Sequence, residues 1–161
     1  MRWTIAVAVL LAWVASWAGM ENSLSAPTYY ISAQADHCDG HSVRVWGASN
    51  LPPGSKLKIK IGERVGVFGM APTSNSFAAA VDDSGFFHVE VVANESRRFR
   101  PGQLANIYFA PWEQPANVVR VVGERGQYLG GLRNPQVGQL SGNTFALATD
   151  VEVGDCGPPT P

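Results

Sequence analysis

The sequence predicts an all-β fold, an antiparallel β-sandwich preceded by a signal peptide. Its clearest evidence is the segment 41–62, where two alternating valines precede a turn and Leu57, Ile59 and Ile61 then alternate with three lysines. A period of two is typical of strands with one buried face. About eight such short patterns follow one another at the spacing of a sandwich, and no helical pattern is found after the N-terminal segment.

Residues 1–18 have the features of a secretory signal peptide. Arg2 is followed by an apolar run over 5–14, and small residues end at Ala18, where we expect cleavage. An uncleaved anchor is the alternative, but spanning a bilayer takes about 20 apolar residues. The mature protein is therefore predicted to be secreted, periplasmic or attached to the cell surface, with no membrane span once the signal is removed.

One domain is predicted over 28–156, between a flexible lead-in at 19–27 and a proline-rich tail at 157–161. The formal net charge of the whole chain is −1, and the basic cluster at 97–100 is short. Nucleic acid binding requires a basic face, which this charge distribution does not provide. Nucleic acid is therefore excluded as an expected partner.

The chain has two cysteines, Cys38 and Cys156, near the two ends of the predicted domain. An even number of cysteines in an exported chain indicates a disulfide, because oxidising compartments preserve such bonds. Closing so long a loop contributes about 4 to 5 kcal/mol in chain-entropy models. We therefore expect a disulfide that ties both ends of the domain together.

The N-terminal half contains the predicted first strand at 28–33 and a hairpin whose strands at 43–46 and 57–61 flank a turn at 50–54. The lysine row makes the register specific, since a slip of one residue would bury three ammonium groups. A second hairpin is predicted over 77–92. Its inward-facing residues are Phe87, Val89 and Val91, opposite Phe86, His88 and Glu90.

The C-terminal half contains predicted strands at 104–110, 118–122 and 145–153. The middle one is almost continuously apolar, as expected of a strand buried on both faces. Between the last two strands, the glycine-rich segment 123–142 has no regular period. A loop of this length either serves a function or lacks order.

Three of these segments, VRVWGASNLPPGSKLKIKI, DDSGFFHVEV and RPGQLANIYFA, give the chain a resemblance to immunoglobulin-like or fibronectin-III-like domains of bacterial exported proteins. The resemblance covers about residues 28–153. It departs from antibody domains in lacking a buried tryptophan between two core cysteines, and Leu104 stands where related sandwiches place a corner tyrosine. Such a resemblance implies a sandwich that serves as a binding or spacing module.

Two histidines, His37 and His41, are weak candidates for metal ligands, with His88 as a distant third. The alternative is that Cys38 is used by the disulfide and that Gly40 makes an ordinary turn. Residues 82–85 are similar to a calcium loop but lack its alternating ligands, so a turn is expected. No nucleophile, metalloprotease or phosphate-loop motif is present. We therefore predict a protein without catalysis or cofactor.

Candidate binding residues lie in the two loops that follow residue 110. Trp112 stands between prolines, and Tyr128 lies in the glycine-rich segment near Arg125 and Arg133. Aromatic and arginine side chains on loops are favoured contact residues. The alternative is that Trp112 caps the core and Tyr128 covers the glycines.

A second hypothesis is a carbohydrate-binding accessory domain, in which Trp46, Tyr29 and Tyr30 stack against sugar rings. The third is a small secreted metal-binding protein. The prediction favoured overall is a non-catalytic exported binding or structural module that contacts a protein or a glycan at the cell surface.

Overall fold

The computed structural model describes residues 28–37, 40–65, 69–72, 74–93, 98–130 and 134–155. These residues form a predominantly β structure with one short α-helix. In chain order the elements are β1 (Ile31–His37), β2 (Ser42–Ser49), β3 (Lys56–Val65), β4 (Gly69–Pro72), β5 (Phe77–Ala80), β6 (Phe86–Val92), β7 (Leu104–Phe109), α1 (Ala116–Val122), β8 (Val137–Gln139) and β9 (Phe145–Asp155).

The strands form two groups that share one apolar core. In the first group β2 pairs antiparallel with β1 on one side and β6 on the other. In the second group β3 pairs with β7 on one edge and with β4 and β5 on the other. Strand β9 joins the groups, because it runs antiparallel to β7 and β8 and parallel to β1. The result is one continuous sheet that is nearly barrel-shaped.

The lysine row of β3 points outward as predicted. Leu57, Ile59 and Ile61 have no solvent exposure, whereas Lys56 is exposed. The prediction for β6 is also confirmed, with Phe87 inside the core and the residues on either side of it exposed. The other large, fully buried side chains include Ile31, Val43, Val45, Val91, Ile107, Phe109 and Leu147.

The predicted hairpin between β2 and β3 is wrong. Both strands exist, but they belong to opposite groups of the sheet and do not pair with each other. The turn between them binds the β5–β6 turn instead, with Ser49 N–H donating to Gly85 O (2.8 Å) and Gly54 N–H donating to Val81 O (2.8 Å). Alternation determines which face of a strand is buried and does not select its neighbour.

Strand β1 begins later than the predicted first strand, at Ile31. The residues before it are held by a side chain, because Asn50 accepts a hydrogen bond from Tyr30 N–H (2.8 Å) and donates one to Thr28 O (2.9 Å). These main-chain groups therefore have partners without a strand ladder.

The predicted strand at 118–122 is an α-helix, α1. Val118 and Val122, one helical turn apart, are fully buried, whereas Val121 is 48% exposed. Gly123 ends the helix with φ 84°, and its N–H donates to Val119 O (2.8 Å). Strands β7 and β9 already have partners on both edges. A buried segment without a strand partner must satisfy its own main-chain groups, and a helix does so despite the β propensity of valine.

Several predicted features lie outside the described residues. They are the signal peptide at 1–18, the lead-in at 19–27, both cysteines, Arg133 and the tail at 157–161. None of the helices in the described part has the length and apolar composition needed to cross a membrane.

Candidate functional site

Exposed large hydrophobic side chains occur on two surfaces within the described residues. Four of them lie in residues 110–144, which join β7 to β9 and are called the long connection below; they are Trp112, Val121, Tyr128 and Leu140. The other three lie on the outward-facing side of β1, β2 and β6, called the outer face below; they are Tyr30, Phe86 and Val92.

The long connection begins with a 3-10 turn at Pro111–Glu113, directly after β7. Trp112 is 49% exposed at the centre of this turn. Proline at the first position of the turn limits its backbone freedom, since the ring presets φ. The turn therefore presents a large aromatic side chain from a restrained backbone.

Gln114 fastens this turn to the start of β3. Its side-chain oxygen accepts a hydrogen bond from Lys56 N–H (2.7 Å), and its side-chain nitrogen donates to Lys56 O (2.9 Å) and Ala110 O (3.0 Å). One amide thus replaces the two main-chain groups that a neighbouring strand would supply.

An ion pair holds the same turn to β3. The Lys58 ammonium donates a hydrogen bond to the Glu113 carboxylate, and it also lies 5.9 Å above the ring centre of Tyr108. Hydrogen bonding to Glu113 raises the pKa of Lys58 above its usual value of 10.5. The pair is half exposed, so its role is to orient the turn, and its contribution to stability is small.

The glycine-rich part of the long connection is packed and hydrogen-bonded where it is described. Leu129 is fully buried, and its N–H donates to Gly126 O (3.0 Å), while Tyr128 N–H donates to Val122 O (3.2 Å). Tyr128 itself is 57% exposed. It stands on a backbone anchored from both sides.

The two predicted contact loops touch each other. At Gly126 (φ 69°), an added Cβ would lie 2.9 Å from Pro111 Cγ and 2.5 Å from Phe145 O, so only glycine fits there. Gly126 is two residues from Tyr128, and Pro111 is adjacent to Trp112. The fold therefore brings the segments of Trp112 and Tyr128 to one end of the domain. Arg125 is exposed in the same segment, and its main-chain oxygen binds Phe145 N–H.

The far end of the long connection is fastened to β1. Gln136 binds both main-chain groups of Ile31, and the buried Asn134 donates to Tyr29 O and to Leu129 O. Asn134 also accepts from Gln136 N–H (3.1 Å). The glycine-rich segment was expected either to serve a function or to lack order, and its described residues are ordered by these bonds. Composition gave no signal for the amide contacts with Tyr29 and Ile31, because these partners are 105 residues away along the chain.

The outer face carries Trp46 on β2, partly exposed between Gln34 on β1 and His88 on β6. The next row across the same strands is Asp36, Arg44 and Glu90. A shallow depression of about 450 Å³ lies here, lined by Asp36, Arg44, Trp46, His88 and Glu90. Trp46 and Arg44 alternate with the buried Val43 and Val45, so they share this face. The pairing of β2 with β6, which brings His88 and Glu90 beside them, was not predicted.

Of the tyrosines predicted for sugar stacking, Tyr29 is buried (6% exposed) and is not available as a platform. Burial raises the pKa of Tyr29 above 10.0. Tyr30 is 45% exposed. It precedes β1 on the outer-face side, four residues before Gln34.

The histidine candidates for metal binding do not converge. His37 Nδ1 lies 3.8 Å from Asp155 Oδ1 and has no hydrogen-bond partner, and the neighbouring Asp36 faces the opposite side of β1. Among the residues that the structure describes, no three histidine, cysteine, aspartate or glutamate side chains are close enough to share an ion. His88 lies on the outer face.

Residues 82–85 form a turn, as predicted. Asp82 Oδ1 accepts hydrogen bonds from Ser84 N–H (2.8 Å) and Phe86 N–H (2.9 Å), and Gly85 has φ 82°. This carboxylate oxygen is thus occupied by the main chain of its own turn.

Comparison with known proteins yields no relative: no family model, no curated protein and no solved structure matches the chain. The functional argument therefore rests on the geometry of the long connection and of the outer face.

Proposed function

We propose that this domain is an immunoglobulin-like sandwich acting as a non-catalytic, exported protein-binding module, and that the long connection is its contact surface. Strand order supports the fold assignment. In the immunoglobulin scheme β1, β2 and β6 correspond to strands A, B and E, and β3, β7 and β9 correspond to C, F and G. The long connection then takes the place of the F–G loop, one of the loops that antibody domains use for contact.

The observation that carries the functional proposal is the set of exposed side chains held on an anchored backbone. Trp112 and Tyr128 are each about half exposed, on segments that meet where Gly126 contacts Pro111. Gln114 and Gln136 fasten the two ends of the connection to β3 and β1. A backbone already fixed before binding loses less conformational entropy when a partner arrives.

The composition of the surface supports a protein partner. Tyrosine, tryptophan and arginine are enriched at the energetic centres of protein interfaces, and Arg125 supplies an exposed cation in the same connection. Val121 and Leu140 add apolar area in the same connection. Rigid aromatic anchors of this kind are typical of paratopes built on sandwich loops.

Export is the second part of the proposal, and the signal-peptide features of the N-terminal segment support it. Residues 1–18 combine Arg2, an apolar run and small residues before the expected cleavage site. Detection of the processed chain outside the cytosol, with Ala18 removed, is the expected result. Recovery of the intact chain from the cytosol would contradict export.

A capture experiment tests the binding surface. The wild-type chain, immobilised after export, is cross-linked to proteins of its own extracytoplasmic fraction, and the captured protein is identified. Trp112→Ala combined with Tyr128→Ala should reduce capture of that protein at least about tenfold, the effect of removing interface hot spots. Val92→Ala, which removes an exposed apolar side chain from the outer face, is the matched control and should capture normally.

Stability separates contact from packing in the same experiment. Because Trp112 and Tyr128 are about half exposed, the double variant should unfold within a few degrees of wild type. Normal capture by the double variant would rule out the long connection as the contact surface. Loss of capture together with loss of the fold would show that these rings act as core.

A further inference from the structure

The outer face is organised around Trp46, and its surroundings differ from those of the long connection. Two register rows cross the three strands, one with Gln34, Trp46 and His88, the other with Asp36, Arg44 and Glu90. Hydrogen-bonding groups therefore lie on both sides of the indole and in the row below it. The shallow depression of about 450 Å³ is formed by these same rows.

A second ring lies next to Trp46 on this face. Phe86 is 58% exposed on β6, in the row that pairs with Ala48, two residues along β2 from Trp46. Strands about 4.8 Å apart with a rise of about 3.4 Å per residue place the two positions about 8 Å from each other. The face thus offers two adjacent aromatic platforms followed by a row of charges.

The charges in that row nearly balance. Asp36 and Glu90 flank Arg44 in the register, so the row has two carboxylates and one guanidinium. Carboxylates accept hydrogen bonds from hydroxyl groups, and a guanidinium donates them. The carboxylates repel a polyanion such as nucleic acid. A peptide with apolar side chains would bury the two carboxylates without supplying a charge to compensate them.

We propose that the outer face binds a neutral glycan, with Trp46 and Phe86 stacking against sugar rings while Asp36, Arg44 and Glu90 bind the hydroxyl groups. An aromatic ring supplies an apolar face that matches the C–H face of a pyranose, and the neighbouring polar groups supply orientation. Sequence alternation singled out Trp46, but only the β2–β6 pairing adds Phe86 and Glu90. This site is separate from the long connection and does not depend on the protein contact proposed there.

Affinity electrophoresis of the exported full chain tests the site. The native gels contain one soluble neutral polysaccharide each, namely laminarin, xylan or galactomannan, and a parallel gel contains the polyanion polygalacturonate. The wild-type chain should be retarded by at least one neutral polysaccharide and not by the polyanion. Retardation by none of the three neutral polymers, or by polygalacturonate alone, would overturn the proposal.

Two variants identify the residues without disturbing the core. Phe86 and Glu90 are both exposed, so Phe86→Ala and Glu90→Gln should fold normally, with unchanged thermal midpoints. Each should weaken binding of the retarding polysaccharide about tenfold, as expected for loss of one stacking or charged contact. The Trp112→Ala, Tyr128→Ala double variant should be retarded like wild type. Full retardation of both outer-face variants would place the glycan elsewhere.

Discussion

The side-chain amide of Gln136 binds the main chain of Ile31 as a neighbouring strand would. Ile31 N–H donates to Gln136 Oε1 (2.8 Å), and Gln136 Nε2 donates to Ile31 O (2.7 Å). Parallel pairing of β1 with β9 begins only at Ala35 and Val153. Gln136 therefore completes the edge of β1 where β9 is out of reach, and it links the long connection to the sheet.

Removing this link should destabilise the domain. Gln136→Ala leaves two partly buried main-chain groups of Ile31 without partners, which we expect to cost about 1–3 kcal/mol in the free energy of unfolding. Urea denaturation measures the change. Gln139→Ala, which removes an exposed amide with one long contact to Asn143, is the matched control and should change stability by less than about 0.5 kcal/mol. Equal stability of the two variants would show that the amide pairing contributes nothing.

Because residues 116–122 form a helix, substitutions at Val118 and Val121 should have different effects on stability, which a strand buried on both faces would not show. Val118→Ala should lower the free energy of unfolding by about 1–3 kcal/mol, because a fully buried side chain is truncated. Val121→Ala should be neutral or stabilising by about 0.5 kcal/mol, since Val121 is exposed and alanine favours the helix. Thermal or urea unfolding of both variants measures these two changes in stability. Similar large losses at both positions would indicate a strand buried on two faces.

The Lys58–Glu113 pair should be visible in a titration. Its hydrogen bond raises the pKa of Lys58 above 10.5, so Glu113→Gln should lower that pKa toward its ordinary value. A raised folded-state pKa means that the contribution of the pair is complete below pH 10.5 and disappears as the pH rises through the folded-state pKa. Nuclear magnetic resonance titration of the Lys58 side chain in wild type and in Glu113→Gln measures the shift. An unchanged Lys58 pKa would contradict the pairing.

The disulfide remains a prediction, because both cysteines lie outside the described residues. His37 and Asp155, which directly precede Cys38 and Cys156, are register partners on parallel strands. An even pair of cysteines in a chain predicted to be exported favours a disulfide. Thiol labelling of the exported, unfolded and unreduced chain should find no free thiol, and reduction should release two. Two thiols labelled before reduction would disprove the bond.

The sequence by itself determined which side of most strands is buried. Period-two alternation predicted that Leu57, Ile59 and Ile61 point inward and that Phe87 does so on β6. Exposing the apolar face of β3, or burying its lysines, costs free energy whichever strands pair with it. The loop that carries Trp112 was predicted from the prolines around it, which is also local information. Each of these features depends on residues next to one another in the chain.

Only the tertiary structure decided which strands are neighbours and where main-chain groups find partners. It separated β2 from β3, placed His88 and Glu90 beside Trp46, and made 116–122 a helix between β7 and β9, whose edges are already paired with other strands. It also joined Gln136 to Ile31. These features depend on which distant segments compete for the same sheet edge, and local periodicity carries no information about that competition.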